Sequence, residues 1–248
     1  MVSEKGSSPA WYQHGVGERI ICLESEALSK LLQRLYGYHL VMLGDPGLTA
    51  LVGSSLISHR ILINPRATGE EVQVSSLKGA LESIPLRSDS VDVVVLPHTL
   101  EESANPHEVL RESNRILIPE GHIIITGFNP ISMLGVWHGF QKLVGGMPRK
   151  GKMLSPSRVR DWLSLLNFQI VGGSLFYYRP PLNRQGLYEK LAFMEKWGEH
   201  CWPFFAGAYT LLAVKRVIPV TPIRVKWSKE KRLWQPASAG IPKPIITK

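Results

Sequence analysis

The sequence has little cysteine and no long apolar segment. Its 248 residues include two cysteines, Cys22 and Cys201, and neither has a second Cys or His at the spacing of a zinc site. A disulfide framework is therefore excluded, and a reducing cytoplasm is the expected location. The longest apolar stretch, residues 204–214, is shorter than the roughly 20 residues that a membrane-spanning helix needs. The N-terminus also lacks the basic-then-apolar order of a signal peptide. A soluble, cytoplasmic protein is predicted.

Acidic residues are also in short supply, most of all near the C-terminus. The chain has 29 Lys and Arg against 20 Asp and Glu, and nine of these cations but a single Glu lie from Lys215 to the end. Residues 218–248 therefore form a basic tail that contains five prolines. Such a tail can contact nucleic acid or an anionic membrane surface. The favoured interpretation is a solvated terminus, because the rest of the chain lacks the basic character of a dedicated nucleic-acid-binding protein.

An alternation of apolar strands and helical segments is present. Residues 1–17 contain Gly, Ser and Pro without periodicity and predict a flexible arm. The apolar spacing over residues 18–36 predicts a helix. Strands are predicted at residues 39–43, 60–63, 71–76, 91–96 and 121–126, and after them at 168–171, continuing to about 178, and at 209–217. Helices are predicted at residues 49–58, from Asn105 with Pro106 at its first position, and at 158–166 with Ser155 as the cap. This order predicts a doubly wound, mostly parallel sheet.

Four short motifs follow one another along this pattern. They are GALESIP from Gly79, SVD from Ser90, HTLE from His98 and LIPEG from Leu117. In this order they resemble the class I S-adenosylmethionine-dependent methyltransferases, type 11 branch. The resemblance implies an α/β, Rossmann-like fold, with a mostly parallel seven-stranded sheet that ends in an antiparallel strand pair. It implies a methyltransferase-like domain over residues 18–217 and S-adenosylmethionine as the cofactor.

The segment after the first strand is where the resemblance implies the cofactor. Family members carry an acidic residue and a G-x-G-x-G turn there, and in this chain Gly44 matches the first glycine. Met42 stands at the acidic position, and Pro46 and Leu48 replace the other two glycines. Because proline is second and glycine third, Asp45-Pro46-Gly47 predicts a type II turn with a positive φ at Gly47. The cofactor-binding residues implied are Gly44, Asp45, Gly47, Asn64, Ala80, Leu81, Pro97 and His98.

Two functions from different classes stay open on the sequence. The first is methyl transfer from S-adenosylmethionine to an unidentified small molecule with an apolar part. The second is a catalytically inactive, methyltransferase-like binding or regulatory protein. The alternative arises because Asn64 and Ala80, like Met42, stand where family members carry carboxylates.

His98 is the one candidate for a catalytic residue, since it follows the fourth strand, where ligands of such sheets bind. The other interpretation is a histidine that closes the strand. No metal site is predicted. The Asn129-Pro130 pair is interpreted as a turn because it follows strand five. Insertions at about residues 129–154 and 179–207 could form a lid or an aromatic substrate wall, but helices that pack their own apolar faces are the favoured interpretation. The oligomeric state is left open.

Overall fold

A computed structural model describes residue 12 and residues 15–65, 74–143, 151–181 and 202–217. Helix α1 spans Val16–Leu32, β1 spans His39–Leu43 and a 3-10 helix spans Pro46–Val52. They are followed by β2 His59–Asn64, β3 Ser75–Lys78, β4 Val91–Pro97, α2 Thr99–Glu102 and α3 Pro106–Ile116. Last come β5 Leu117–Phe128, α4 Met133–Leu143, α5 Pro156–Leu165, β6 Phe168–Phe176, a 3-10 turn Pro203–Phe205 and β7 Ala208–Lys215.

The described strands form one seven-stranded sheet in the order β3-β2-β1-β4-β5-β7-β6. Strands β1 to β5 pair in parallel, whereas β7 is antiparallel to both β5 and β6. This is the α/β, Rossmann-like sheet with a terminal antiparallel pair that the motif order implied, and the fold prediction is confirmed. The carboxyl ends of β1, β2 and β4 consequently meet at one edge.

Strand β1 shows why both faces of the sheet are covered. Alternate side chains point to opposite faces, so that Leu40 and Met42 join the core on one side while Val41 and Leu43 join the core on the other. Helix α1 packs in the first core, and α3 and α5 pack in the second. All four of these strand side chains are fully buried. A run that is apolar on both faces is what a central parallel strand needs.

Two of the helix starts predicted from the sequence are confirmed. Pro106 opens α3 at its first turn. The Ser155 hydroxyl accepts a hydrogen bond from the Arg158 N–H at 3.4 Å, and so caps α5. Strand β5 has an irregular start, where Glu120 takes a φ of 63° and the register with β4 shifts. The predicted strand at 121–126 is the regular part of this longer element.

Several predicted boundaries were wrong. A crossover helix at residues 49–58 is replaced by the 3-10 helix Pro46–Val52, because Asp45 caps it and Pro46 starts it. The third strand extends to Lys78 instead of ending at residue 76. Helix α1 starts at Val16, and Tyr12, which lies within the predicted arm, is buried. Residues 1–11, 13 and 14 of that arm, residues 182–201 of the second predicted insertion and the tail at 218–248 lie outside the described residues.

The sheet has an irregular outer strand. The pairing of β6 with β7 shifts between Ile170 and Gly172, as expected of a β-bulge. At Gly173 a side-chain Cβ would stand only 2.5 Å from the carbonyl oxygen of Thr210. Glycine is therefore required at that position for the close approach of the two strands.

Candidate active site

A glycine with a positive φ forms the turn after β1. Gly44 has a φ of 135°, which strongly favours glycine over residues with a side chain. A Cβ at this position would lie 2.8 Å from the Thr99 hydroxyl. That hydroxyl donates a hydrogen bond to the carbonyl oxygen of Leu43, so the turn packs directly against the first residue of α2. The bare backbone of Gly44 is thus required by both conformation and space.

The predicted type II turn at Asp45-Pro46-Gly47 was wrong. The Asp45 carboxylate accepts a hydrogen bond from the Gly47 N–H at 2.9 Å, which makes Asp45 the N-cap of the 3-10 helix. Pro46 supplies the helical φ of the first position. Gly47 is therefore a helical residue, and it is absent from the described glycines with positive φ, which are Gly15, Gly44 and Gly151. The conformational role assigned to Gly47 belongs to Gly44.

Asn64 connects the ends of β1 and β2. Its side-chain amide nitrogen donates a hydrogen bond to the carbonyl oxygen of Gly44. The residue is the last of β2 and is partly buried. An amide in place of a carboxylate can make this contact because it carries a donor as well as an acceptor. Asn64 therefore fixes the position of the glycine turn.

The opposite wall of the site is held by an Arg115–Glu112 pair on α3. Arg115 donates hydrogen bonds to the carbonyl oxygens of Ile84 and Leu86 at 2.8 and 2.9 Å, and to both carboxylate oxygens of Glu112 at 2.9 Å. The Glu112 carboxylate also accepts the Ile84 N–H at 2.9 Å. These bonds fix the loop that carries Leu81 and Glu82 toward the glycine turn.

We expect Glu112→Gln to weaken the pH dependence of stability in acid. The hydrogen bond from Arg115 lowers the pKa of Glu112 below its ordinary value, and the Ile84 N–H contributes in the same direction. A lowered pKa in the folded state gives stability that is present above the ordinary carboxyl pKa and is lost as the pH falls through the lowered value. The midpoint temperature of thermal unfolding should therefore fall less steeply for the variant than for the unmodified protein as the pH is lowered from about 7 to about 3.

The control for this measurement is Glu108→Gln on the same helix. Glu108 forms an exposed ion pair with Arg111 and does not contact the loop. Exposed pairs of this kind contribute little to stability. The dependence of stability on pH is compared for the two variants and the unmodified protein. If all three curves are parallel, the role assigned to Glu112 is contradicted.

A cleft of about 440 Å³ opens between these walls at the carboxyl ends of β1, β2 and β4. This volume lies within the range of small-molecule sites in proteins. The described lining contains three carboxylates as well as hydroxyl and backbone groups. It consists of Gly44, Asp45, Pro46, Asn64, Pro65, Leu81, Glu82, Thr99, Glu102, Ser103 and Ala104.

Half of the eight residues implied as cofactor contacts line this cleft. Gly44, Asp45, Asn64 and Leu81 do so, whereas Gly47, Ala80, Pro97 and His98 are outside the described lining. The prediction missed the other seven lining residues, which are Pro46, Pro65, Glu82, Thr99, Glu102, Ser103 and Ala104. The signal that could have indicated them is their position, since Thr99 directly follows β4 and ligands bind beyond the carboxyl ends of such strands.

The structure places His98 in a buried cluster of charged groups instead of the cleft. Its Nε2 lies 3.0 Å from a carboxylate oxygen of Glu24, and its Nδ1 lies 3.3 Å from one of Glu101. The ring stacks on Phe128 with centroids 4.2 Å apart, and Tyr12 lies on it at 5.6 Å. The residues His98, Glu24 and Glu101 are each at least 97% buried.

The cluster extends to β5 and β7. Glu101 accepts a hydrogen bond from the Phe128 N–H, and burial together with the Glu101 charge raises the pKa of Tyr209 well above its ordinary value. Glu24 comes from α1, where it lies on the same stripe as the buried Ile20 and Leu28. Helix α1, the start of α2 and the end of β5 are therefore joined through His98, which gives it a structural position.

Neither a metal site nor a membrane span is found in the part of the chain that the structure describes. No group of three or more His, Cys, Asp or Glu side chains there is arranged to hold a metal ion. The helices there are too short or too polar to cross a bilayer.

Comparisons with known proteins agree with this geometry. A family model described as a methyltransferase domain matches residues 36–125, which include β1 to β4 and the whole cleft lining. The uncharacterized protein YafS of Escherichia coli (strain K12) is 33% identical over 204 residues, which cover 82% of this chain and 79% of YafS. The chain belongs to the class I S-adenosylmethionine-dependent methyltransferase superfamily.

Solved structures of this superfamily show the same fold at low identity. An S-adenosylmethionine-dependent methyltransferase from Thermotoga maritima superposes with a TM-score of 0.62 at 18% identity, over 84% of this chain and 93% of that one. A chain from the complex that contains the Haloferax volcanii Trm112 methyltransferase activator gives a TM-score of 0.57 at 18% identity, over 87% and 100% of the two chains. At such identities the likeness shows the fold alone.

Proposed function

We propose that this methyltransferase-superfamily protein binds S-adenosylmethionine in the cleft and transfers its methyl group to a small molecule with an apolar part, in the cytoplasm. The observation that carries the proposal is the Gly44 turn, where the backbone is bare on the side of the cleft at the carboxyl end of β1. Ligands of open α/β sheets bind at such ends. The cleft also has the volume of a small-molecule site.

The residues of the cleft fit the chemical groups of this cofactor. S-adenosylmethionine carries a positive sulfonium and a positive ammonium group, and the carboxylates of Glu82 and Glu102 are complementary to both in sign. Leu81 and Pro65 offer apolar surface for a nucleoside base. Asn64 and the Asp45 cap would hold the turn in place, since each already makes a hydrogen bond within it.

The bound cofactor supplies an activated methyl group for transfer to a nucleophile. What the protein contributes to such a transfer is alignment and exclusion of water. The fixed walls of the cleft serve alignment, since Asn64 holds one side and the Arg115–Glu112 pair holds the other. An acceptor with an apolar part is supported by the exposed apolar side chains at the same sheet edge, among them Phe140 and Phe204.

Calorimetric titration of the full chain with S-adenosylmethionine tests cofactor binding. We expect a dissociation constant in the micromolar range. No heat and no thermal shift at millimolar cofactor would overturn the proposal.

Incubation with methyl-tritiated cofactor and a cell extract tests the acceptor. We expect the label to enter the fraction extractable into organic solvent, and label only in water-soluble products would refute the apolar acceptor while leaving methyl transfer intact.

A further inference from the structure

Seven large apolar side chains are exposed on two neighbouring segments, and we call them the apolar face. They extend from the end of β5 through α4 and over the turn before β7. Their exposed fractions range from 45% for Met133 to 82% for Phe204. The apolar face consists of Ile131, Met133, Val136, Phe140, Trp202, Phe204 and Phe205.

Helix α4 has apolar residues on both of its sides. Leu134 is buried in the core and Trp137 packs against it, so the inner side of the helix is already satisfied. Met133, Val136 and Phe140 follow at spacings of three and four residues on the other side. An ordinary surface helix carries polar residues there. Core packing therefore explains one side of α4 and leaves the other without a partner within the described residues.

The two segments of the apolar face are held together. The Asn129 side chain donates a hydrogen bond to the carbonyl oxygen of Phe204 at 2.7 Å, and the Asn129 N–H donates to that of Gly207 at 3.0 Å. Both segments lie at the end of β5, which is parallel to β4. The apolar face is therefore at the same edge of the sheet as the cleft.

The stretch of sequence that contains α4 is basic. Between Gly121 and Arg160 there is no Asp or Glu, whereas six Lys and Arg are present. Lys142 belongs to the last turn of α4, and Arg149, Lys150 and Lys152 come after that helix in the sequence. At the far end of this sequence, the Lys152 N–H donates a hydrogen bond to the carbonyl oxygen of Glu101 at 2.9 Å, at the cleft edge of the sheet. Residues 202–217, which contain the second segment, likewise include no acidic residue.

We propose that the apolar face docks this protein on the surface of an anionic lipid bilayer. Aromatic and aliphatic side chains that stand beside cationic ones are the combination that binds the interface of such membranes, where the apolar groups enter the headgroup region and the cations attract the lipid phosphates. A second copy of the chain would place the cations of both copies near one another, which disfavours that occupant. Docking brings the cleft edge to the bilayer, and if the proposed function holds, the acceptor enters from the lipid.

Co-sedimentation with vesicles tests the docking. The test uses the full chain without cofactor, with vesicles of phosphatidylcholine containing about a third phosphatidylglycerol, and with vesicles of phosphatidylcholine alone. The Phe140→Ser, Phe204→Ser double variant removes two exposed side chains of the apolar face. The matched control is Tyr36→Ser, Tyr38→Ser, which removes two equally exposed aromatic rings just before the start of β1.

We expect the unmodified protein and the tyrosine control to sediment with the anionic vesicles. The phenylalanine variant should bind at least about tenfold more weakly, and added salt should weaken binding of all three. Protein that stays in the supernatant, or equal binding by both double variants, would overturn the proposal. The proposal would also be overturned if light scattering showed that the unmodified protein and the tyrosine control are dimers and the phenylalanine variant is a monomer. Calorimetry with S-adenosylmethionine on the same variants reports cofactor binding separately, since neither phenylalanine lines the cleft.

Discussion

Gly44→Ala should reduce the affinity for S-adenosylmethionine at least about tenfold, which corresponds to about 1.4 kcal/mol. Two effects combine at this position. A φ of 135° is strained for any residue with a Cβ, and conformations of this kind cost about 1–3 kcal/mol. The new Cβ would also press on the Thr99 hydroxyl, which lies at 2.8 Å and packs the turn against α2. A backbone shift that relieves the strain, or a displacement of Thr99 that relieves the contact, would move residues that line the cleft. Calorimetric titration measures the affinity, and thermal unfolding measures the accompanying loss of stability.

Gly139→Ala is the matched control for this variant. Gly139 lies within α4, and a Cβ there meets no atom within 4 Å. Alanine is favoured over glycine inside a helix by about 1 kcal/mol, so this variant should be neutral or slightly more stable. Its cofactor affinity should equal that of the unmodified protein. An unchanged affinity in Gly44→Ala would mean that the cofactor does not contact the turn after β1.

His98→Leu should lower the free energy of unfolding by about 3–5 kcal/mol, the usual cost of leaving a buried charge without its partner. Leucine cannot donate a hydrogen bond to Glu24 or Glu101, and both carboxylates stay buried. A loss of this size is a large part of the stability of most domains. Urea denaturation followed by circular dichroism gives the value.

Two further variants make the His98 result interpretable. His59→Leu changes an exposed histidine at the start of β2 and should shift stability by no more than about 0.5 kcal/mol. Glu24→Gln combined with His98→Leu removes the carboxylate that faces His98 Nε2, so it should be more stable than His98→Leu alone. If the double variant is no more stable, the carboxylate of Glu24 is not paired with His98, and the cost arises from packing on Phe128.

Much of the architecture could be predicted because its signals are local. The apolar run at residues 91–96 and its repeat at 121–126 indicate buried parallel strands, and Ser155-Pro156 indicates a helix start. The glycine turn was predicted less well. Asp45-Pro46-Gly47 suits a type II turn and a capped helix start equally, and the packing of Thr99 on Gly44 lies more than 50 residues away in sequence. Local propensity alone could not choose between the two.

One rule used to predict the site was that residues at the carboxyl end of a strand contact the ligand. Gly44 and Asn64 follow this rule, and both line the cleft. His98 follows it too, but its φ of 54° turns the chain, and its side chain lies against Glu24 of α1. The direction of a side chain after a strand depends on such tertiary partners. Glu24 itself stands in an apolar stripe, and that misplaced charge is the one sequence signal that indicated a buried polar partner.

The bulge in β6 has a consequence for self-association. In the described sheet β6 is an outermost strand, and such rims expose backbone donors and acceptors that can recruit a strand of another molecule. The shift between Ile170 and Gly172 bends this rim and interrupts its ladder. A regular strand of another molecule could therefore not keep its register along the whole of β6. We expect this irregularity to disfavour aggregation by pairing of edge strands between molecules.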